Sequence, residues 1–224
     1  MITMSDVTRK FLAALILFMV CAGASAANHT ILVFGDSISA AQGMDEDQGW
    51  VHLLSLRLKK ENPAYRVVNA SMSGETTGGG VVRLPKTLEL HQPDIVILEL
   101  GGNDGLRGYP VDMIEANLED MTRMALNARA HVLIMGIVLP PNYGARYIDP
   151  FKAIFPQVAD KFHVPLLPYP LQGIDTSRNL IQQDGIHPTA KAQPMIMEQV
   201  WQKLVPLLQA SKQVELQPGV APGQ

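Results

Sequence analysis

Apolar runs of strand length alternate along the chain with stretches whose apolar positions recur every three or four residues. Thr30 to Phe34 is the first such run. Trp50 to Leu58 follows, with Trp50, Leu53, Leu54 and Leu58 on one helical face and polar residues elsewhere. Tyr65 to Ala70 predicts a second strand, and Asp94 to Leu100 (D-I-V-I-L-E-L) is the clearest third. From Val111 to Ala128 the positions Val111, Ile114, Leu118, Met121 and Ala125 keep helical spacing directly after Pro110, a residue favoured at helix starts. His131 to Val138 predicts a fourth strand, Phe151 to Phe162 a helix in spite of Pro156, Val164 to Leu167 a short fifth strand, and Ala190 to Leu208 the last helix.

Near-continuous apolar strands joined by helix-length connections predict a parallel sheet covered on both faces. The expected fold class is α/β: a three-layer α/β/α sandwich with a central parallel five-stranded sheet, whose strands, if they take the flavodoxin-like order 2-1-3-4-5, bring the ends of the first three together. In an open parallel sheet, ligands bind at the carboxyl ends of the strands, near the point where strand order reverses. The residues that follow the first three strands therefore matter most. They are Gly35-Asp36-Ser37, Ser71-Met72-Ser73-Gly74 and Gly101-Gly102-Asn103-Asp104, neighbours on one rim in this strand order.

The two ends of the chain read differently. Arg9 and Lys10 precede an apolar run from Phe11 to about Ala22, and Ala24-Ser25-Ala26 supplies a small-residue cleavage pattern. Residues 1–26 thus predict a secretory signal peptide, since the run falls short of the roughly 20 apolar residues needed to cross a bilayer. Bulky Val20 before Cys21 argues against lipid attachment. The domain expected to fold is 27–209. From about Ala210 the chain becomes S-K-Q-V-E-L-Q-P-G-V-A-P-G-Q, so 210–224 predict a disordered tail.

Composition narrows the function classes. With 47% hydrophobic and 17% charged residues, the chain suits one globular domain. Cys21 is the single cysteine, so the mature chain offers no disulfide, thiolate nucleophile or cysteine-ligated metal. Without the signal peptide, 16 basic and 20 acidic residues leave a net charge of −4 and no basic run, which disfavours nucleic-acid binding. No further segment is long enough to span a membrane. The expectation is a soluble protein outside the cytoplasm, periplasmic, with no stable membrane insertion after cleavage and nothing that demands more than a monomer.

A lone serine after a strand serves readily as a helix N-cap, and Ser37 by itself proves little. Asn103 and Asp104 suit a turn, and Gly74 a positive φ angle. A serine hydroxyl becomes a good nucleophile only when a histidine takes its proton and an acid orients that histidine. Of the six histidines, His29, His52, His91, His131 and His163 lie near the new amino terminus, in helical patterns or beside buried strands. His187 differs: it stands in Q-D-G-I-H-P, with Asp184 three residues ahead and Pro188 behind, just before the last helix. An aspartate at that spacing across a tight turn can accept Nδ1–H and leave Nε2 free, while Pro188 keeps His187 out of helical conformation. The alternative for this pair is an Asx-type turn that caps the last helix.

Other constellations fail. There is no G-x-S-x-G, H-E-x-x-H, P-loop or G-x-G-x-x-G. Asp45-x-Asp47-x-Gly49 lacks the glutamate of a calcium loop, having Leu56 at the twelfth position. Gly78-Gly79-Gly80 is followed by Val81-Val82 and no lysine, which reads as a loose helix start. No metal and no cofactor is implied.

Four segments in order, Gly35-Asp36-Ser37-Ile38, Gly74 in N-A-S-M-S-G-E-T-T, Gly101-Gly102-Asn103-Asp104 and Asp184-Gly185-Ile186-His187, resemble the four sequence blocks of the SGNH (GDSL) hydrolases. G-D-S-I-S-A-A-Q-G, V-V-N-A-S, L-G-G-N-D-G-L-R-G and L-P-P-N-Y-G-A-R-Y are similar to the bacterial arylesterase and thioesterase I/lysophospholipase subgroup, over about Ile31 to Leu208. Ile38 in place of leucine is the one departure from the GDSL block. The resemblance implies Ser37 as nucleophile, His187 as general base and then acid, Asp184 as its orienting carboxylate, and an acyl-enzyme intermediate. It implies an oxyanion hole made of the backbone N–H groups of Ser37 and Gly74 and the side-chain amide of Asn103. Ser37 is then expected at a helix start with an exposed hydroxyl, nucleophile rather than cap. Gly105 to Tyr109 is expected to form a mobile lip of the acyl groove and Pro140 to Tyr147 another wall, with Leu106, Arg107, Tyr109, Pro141 and Tyr143 as candidate substrate contacts. The bland alternative for both is a pair of ordinary surface loops. The implied substrate is a small-molecule acyl ester, thioester or lysophospholipid. Carbohydrate O-deacetylation within the same family, and a non-catalytic flavodoxin-like binding module, are the rival readings.

Overall fold

The computed structural model describes residues 29–174 and 179–215. The expected signal peptide and the end of the expected tail lie outside the described residues. Five strands, β1 (His29–Gly35), β2 (Tyr65–Asn69), β3 (Ile95–Glu99), β4 (His131–Met135) and β5 (Leu166–Leu167), form one sheet in the order 2-1-3-4-5. Every pairing is parallel. The helices are α1 (Trp50–Glu61), α2 (Thr77–His91), α3 (Gly102–Leu106), α4 (Val111–Asn127), α5 (Ala145–Phe162) and α6 (Gln193–Glu215), with short 3-10 turns at Glu46–Gln48 and Pro141–Tyr143.

Successive strand side chains point to opposite faces, so the uninterrupted apolar strands feed two cores. Ile31, Val33, Ile95, Ile97, Leu133 and Met135 face α1 and α6, where they meet Trp50, Leu54, Leu58, Ile196, Val200 and Leu204. Leu32, Phe34, Val96, Leu98, Val132 and Ile134 face α2, α4 and α5, against Leu84, Ile114, Leu118, Met121, Phe151 and Phe155. That is the expected three-layer sandwich. The Gln193 side chain is wholly buried and its Oε1 accepts the Trp50 backbone N–H at 2.9 Å, which ties the start of α1 to the start of α6.

Several boundaries depart from expectation for local reasons. α5 begins at Ala145 instead of Phe151 and carries both Pro150 and Pro156. Both prolines lie on its exposed side, where water can hydrate the carbonyls that lose their partners. β5 shrinks to Leu166–Leu167 because Pro165 has no N–H to give; its carbonyl still accepts from Ile134 N–H at 3.0 Å. The last helix starts later than expected, at Gln193, and continues to Glu215, past Ala210, where the disordered tail was expected to begin. Ser37 does not start a helix either. Asp36 to Gly43 is a run of turns, in which Gln42 N–H reaches back to Ser37 C=O and Ala41 takes a φ of 57°, a combination that cannot propagate as α-helix.

β4 stops at Met135 because the chain beyond it runs against the segment after β5. A Cβ on Gly136 would meet the backbone oxygen of Pro168 at 2.3 Å, and backbone cannot swing aside as a side-chain tip does. Gly136→Ala should therefore lower unfolding stability by about 1–3 kcal/mol, the usual range for overpacking, as measured by urea titration; an unchanged midpoint would show that the two segments can separate freely.

Candidate active site

The first three loops on the carboxyl edge of the sheet converge as the strand order demands. β1 and β3 pair with Gly35 opposite Glu99, so Asp36 and Ser37 leave the sheet beside Gly101, Gly102 and Asn103. The loop after β2 closes the other side: Ala70 N–H donates to Val33 C=O and Met72 N–H to Gly35 C=O. Gly74 then turns with φ +80° and open space around its missing side chain.

His187 arrives from far along the chain on a tight turn. Ile181 and Pro188 form an antiparallel bridge, Gln182 N–H donates to His187 C=O at 2.7 Å, and Gly185 N–H donates to Gln182 C=O. Inside this turn Asp184 Oδ1 accepts the backbone N–H groups of Ile186 and His187 at 2.9 and 3.0 Å. Its Oδ2 lies 2.6 Å from His187 Nδ1. The turn is thus an Asx-type turn and a charge partner at once. Burial works to raise the Asp184 pKa, but the Ile186 N–H, the His187 ring and the His187 N–H outweigh it and hold the carboxyl at about 2. With Nδ1–H committed to Asp184, Nε2 is the acceptor nitrogen. It stands 2.8 Å from Ser37 Oγ, across 150 positions of sequence.

A second side chain binds the two turns together. Gln182 Nε2 donates to Pro188 C=O at 3.0 Å and to Gln42 C=O at 2.8 Å, linking the turn of His187 to the turn of Ser37. Sequence reading assigned Gln182 no part; only the fold brings it within reach of Gln42.

The polar rim has two kinds of donor. Among the described residues, neither the Ser37 nor the Gly74 backbone N–H is spent on another protein group. The Asn103 amide is held: its Nδ2 donates to Glu75 C=O at 2.9 Å and to Asp36 Oδ2 at 3.1 Å. Ser37, Gly74, Asn103 and His187 all border one groove of about 750 Å³. Its apolar walls come from Ile137, Val138 and Leu139 after β4 and from Tyr169, Leu171 and Ile174 after β5. None of these was singled out in the sequence; they fall in loops whose strand-like apolar character carried no positional signal.

Of the five candidate substrate contacts, Leu106 and Pro141 line the groove. Arg107 is exposed and its Nη2 donates to Gly74 C=O at 3.3 Å. Tyr143 turns its hydroxyl to Leu106 C=O at 2.8 Å, and Tyr147 does the same to Tyr109 C=O at 2.6 Å. The expected mobile lip is therefore stitched to the neighbouring wall at two carbonyls, and Arg107, Tyr109 and Tyr143 act from outside the groove.

Two buried carboxyls lie beneath Ser37. Glu99 is 1% exposed and Asp36 3%. Burial pushes both upward, Asp36 to about 6 and Glu99 well above the usual glutamate range, the latter also through repulsion by Asp36.

Comparison with known proteins agrees with this architecture. Residues 33–193 match the model of the GDSL-like lipase/acylhydrolase family. Esterase TesA of Pseudomonas aeruginosa is 50% identical over 183 residues, which is 82% of this chain and 91% of that protein. Thioesterase 1/protease 1/lysophospholipase L1 of Escherichia coli K12 is 41% identical over 208 residues, 93% of this chain and 98% of that protein. Among solved structures, the psychrotrophic esterase EstA of Pseudoalteromonas sp., inhibited by monoethylphosphonate, superimposes with a TM-score of 0.77 at 39% identity, covering 81% of this chain and 99% of that one. With its family model matched over most of its length, its sheet in the order 2-1-3-4-5 and relatives named esterase and thioesterase, the chain belongs to the GDSL-like lipase/acylhydrolase family of ester hydrolases.

Proposed function

We propose that this chain is a secreted, periplasmic serine esterase that hydrolyses carboxylic esters and thioesters with an apolar acyl part through a Ser37–His187–Asp184 triad. The observation that carries the reading is the continuous hydrogen-bonded line from Ser37 Oγ through the His187 ring to Asp184. His187 Nε2 removes the hydroxyl proton as Ser37 Oγ attacks the substrate carbonyl carbon. Asp184, held ionised, fixes the ring and stabilises the imidazolium that forms. The carbonyl oxygen takes up negative charge and meets the unspent N–H groups of Ser37 and Gly74, with Asn103 Nδ2 as third donor once it exchanges its contact to Glu75 C=O for one to the oxyanion. His187 then protonates the leaving alcohol or thiol, and the carbonyl re-forms as the acyl ester of Ser37. Water, deprotonated by His187, attacks that ester and releases the acid and the serine.

Secretion rests on residues 1–26, and action as a monomer on the fact that every proposed group comes from one chain. No helix among the described residues is long and apolar enough to cross a membrane. The apolar walls of the groove favour an acyl chain over the hydroxyl-rich ring of an acetylated sugar, and the phosphonate inhibition named for the EstA relative accords with a serine that attacks acyl-type electrophiles.

Ser37→Ala and His187→Ala should each abolish turnover of p-nitrophenyl esters while circular dichroism stays unchanged; full activity in either would remove that residue from the chemistry. Asn103→Ala should lower kcat on the order of 100-fold, with little change in KM; a rise in KM at constant kcat would place Asn103 in ground-state binding alone. In a series of saturated acyl esters kcat/KM should climb about fourfold per added methylene until the groove is filled, following about 0.8 kcal/mol per buried CH₂. A preference for acetyl substrates would point to the deacetylase reading.

A further inference from the structure

Glu99 is a glutamate at the end of the central strand β3, whose other residues, Ile95 to Leu98, are all buried and apolar. Its carboxyl lies under the loop that carries Ser37. Oε2 accepts the Ser39 hydroxyl at 2.8 Å and the Asp36 backbone N–H at 3.3 Å. Ser39 is itself buried and its carbonyl accepts from Asn69 Nδ2 at 2.9 Å. The fit is close enough that a Cβ on Gly35 would meet Glu99 Oε2 at 2.7 Å and Ser39 Oγ at 2.9 Å. The glycine of the Gly35-Asp36-Ser37 block is thus shaped by this carboxyl. Beyond Asp36 the chain of contacts reaches the reacting centre: Asp36 Oδ1 accepts the Ile38 N–H at 3.1 Å and Oδ2 the Asn103 amide at 3.1 Å.

We propose that Glu99 is a positioning residue for the ester hydrolysis inferred above, fixing through Asp36 both the turn that carries Ser37 and the amide of Asn103. The inference rests on that reading of the site. Burial raises both carboxyls, and repulsion by Asp36 adds to the rise of Glu99, so Glu99 holds a proton in this pocket while it accepts the Asp36 N–H and the Ser39 hydroxyl. Two charged carboxylates in this dry place would repel each other, whereas a proton on Glu99 lets Asp36 remain the acceptor that Asn103 and Ile38 need. The other charged groups that act on Asp36 are His187, which favours its ionised form, and Asp104, which opposes it.

The neutral role sets the test. Glu99→Gln keeps an uncharged acceptor for the Asp36 N–H and the Ser39 hydroxyl, so kcat for a p-nitrophenyl ester should stay within about threefold of wild type. Glu99→Ala removes both contacts and should lower kcat about 10- to 100-fold with KM within twofold, the scale of misplacing a reacting group by an ångström or less. Should Glu99→Ala fail to fold by circular dichroism, Glu99→Asp, which withdraws the carboxyl by one methylene, must show the same loss confined to kcat. Stability gives a second readout. In the folded protein Glu99 keeps its proton where an unfolded glutamate, at about 4.5, has lost it, so its contribution declines as pH rises. The urea midpoint of wild type relative to Glu99→Gln should therefore fall as pH rises from about 4.5. Wild-type kcat in Glu99→Ala, an equal loss in Glu99→Gln and Glu99→Ala, or a pH-independent difference in midpoint would each overturn the proposal. Fluorophosphonate labelling of Ser37 in the wild type separates the two levels. If it fails together with esterase activity, the functional reading falls and takes this inference with it; if it succeeds while Glu99→Ala is fully active, this inference falls alone.

Discussion

The parallel register of β1 on β3 is the constraint from which the site follows. Because Gly35 and Glu99 end opposite each other, the two central strands release their loops at the same level, one carrying Asp36 and Ser37 and the other Gly102 and Asn103. A shift of one residue would turn every alternating side chain to the wrong core and carry Asn103 out of reach of Asp36. The two apolar cores that enforce the register are therefore as much part of the site as the polar groups on its rim.

On that frame three carboxyls live in two environments. Asp184 sits at the surface, in a turn whose N–H groups and imidazole keep it ionised. Asp36 and Glu99 are sealed beneath the opposite loop, where burial raises both. Identical chemistry is driven to different protonation by solvent exposure, donors and neighbouring charges, a recurring way for a site to hold a fixed negative charge in one place and a neutral acid in another.

Much of this was legible from residue pattern. The parallel sheet and its two covering layers followed from apolar strand runs separated by helix-length connections, because burial on both faces leaves a plain mark on a sequence, whereas the strand order came with the resemblance to a known fold. Ser37, Gly74, Asn103, Asp184 and His187 were legible through short motifs, and all five are drawn to one groove or its edge. The strand and helix ends were less so: the late start of α6, its extension past Ala210 and the early start of α5 depend on which face of a helix meets the core, which local composition does not state. Glu99 and Gln182 could not be read at all. Each is an ordinary polar residue whose partners, Asp36 and Ser39 for one and Gln42 for the other, lie dozens of positions away or more and become neighbours only in three dimensions. The groove walls at Ile137, Leu139, Leu171 and Ile174 were hidden for a related reason, since an apolar residue in a loop looks the same whether it packs inward or awaits a ligand.

The Gln182 bridge has a mechanical consequence. His187 rides on a segment that belongs neither to the sheet nor to a helix, the sort of segment that ordinarily drifts against its surroundings. Clipped through one amide to carbonyls on both sides of the gap, it is obliged to travel with the loop of Ser37. Separating base from hydroxyl would then stretch or break this clip, so the same amide that joins the two segments opposes a change in the spacing between them.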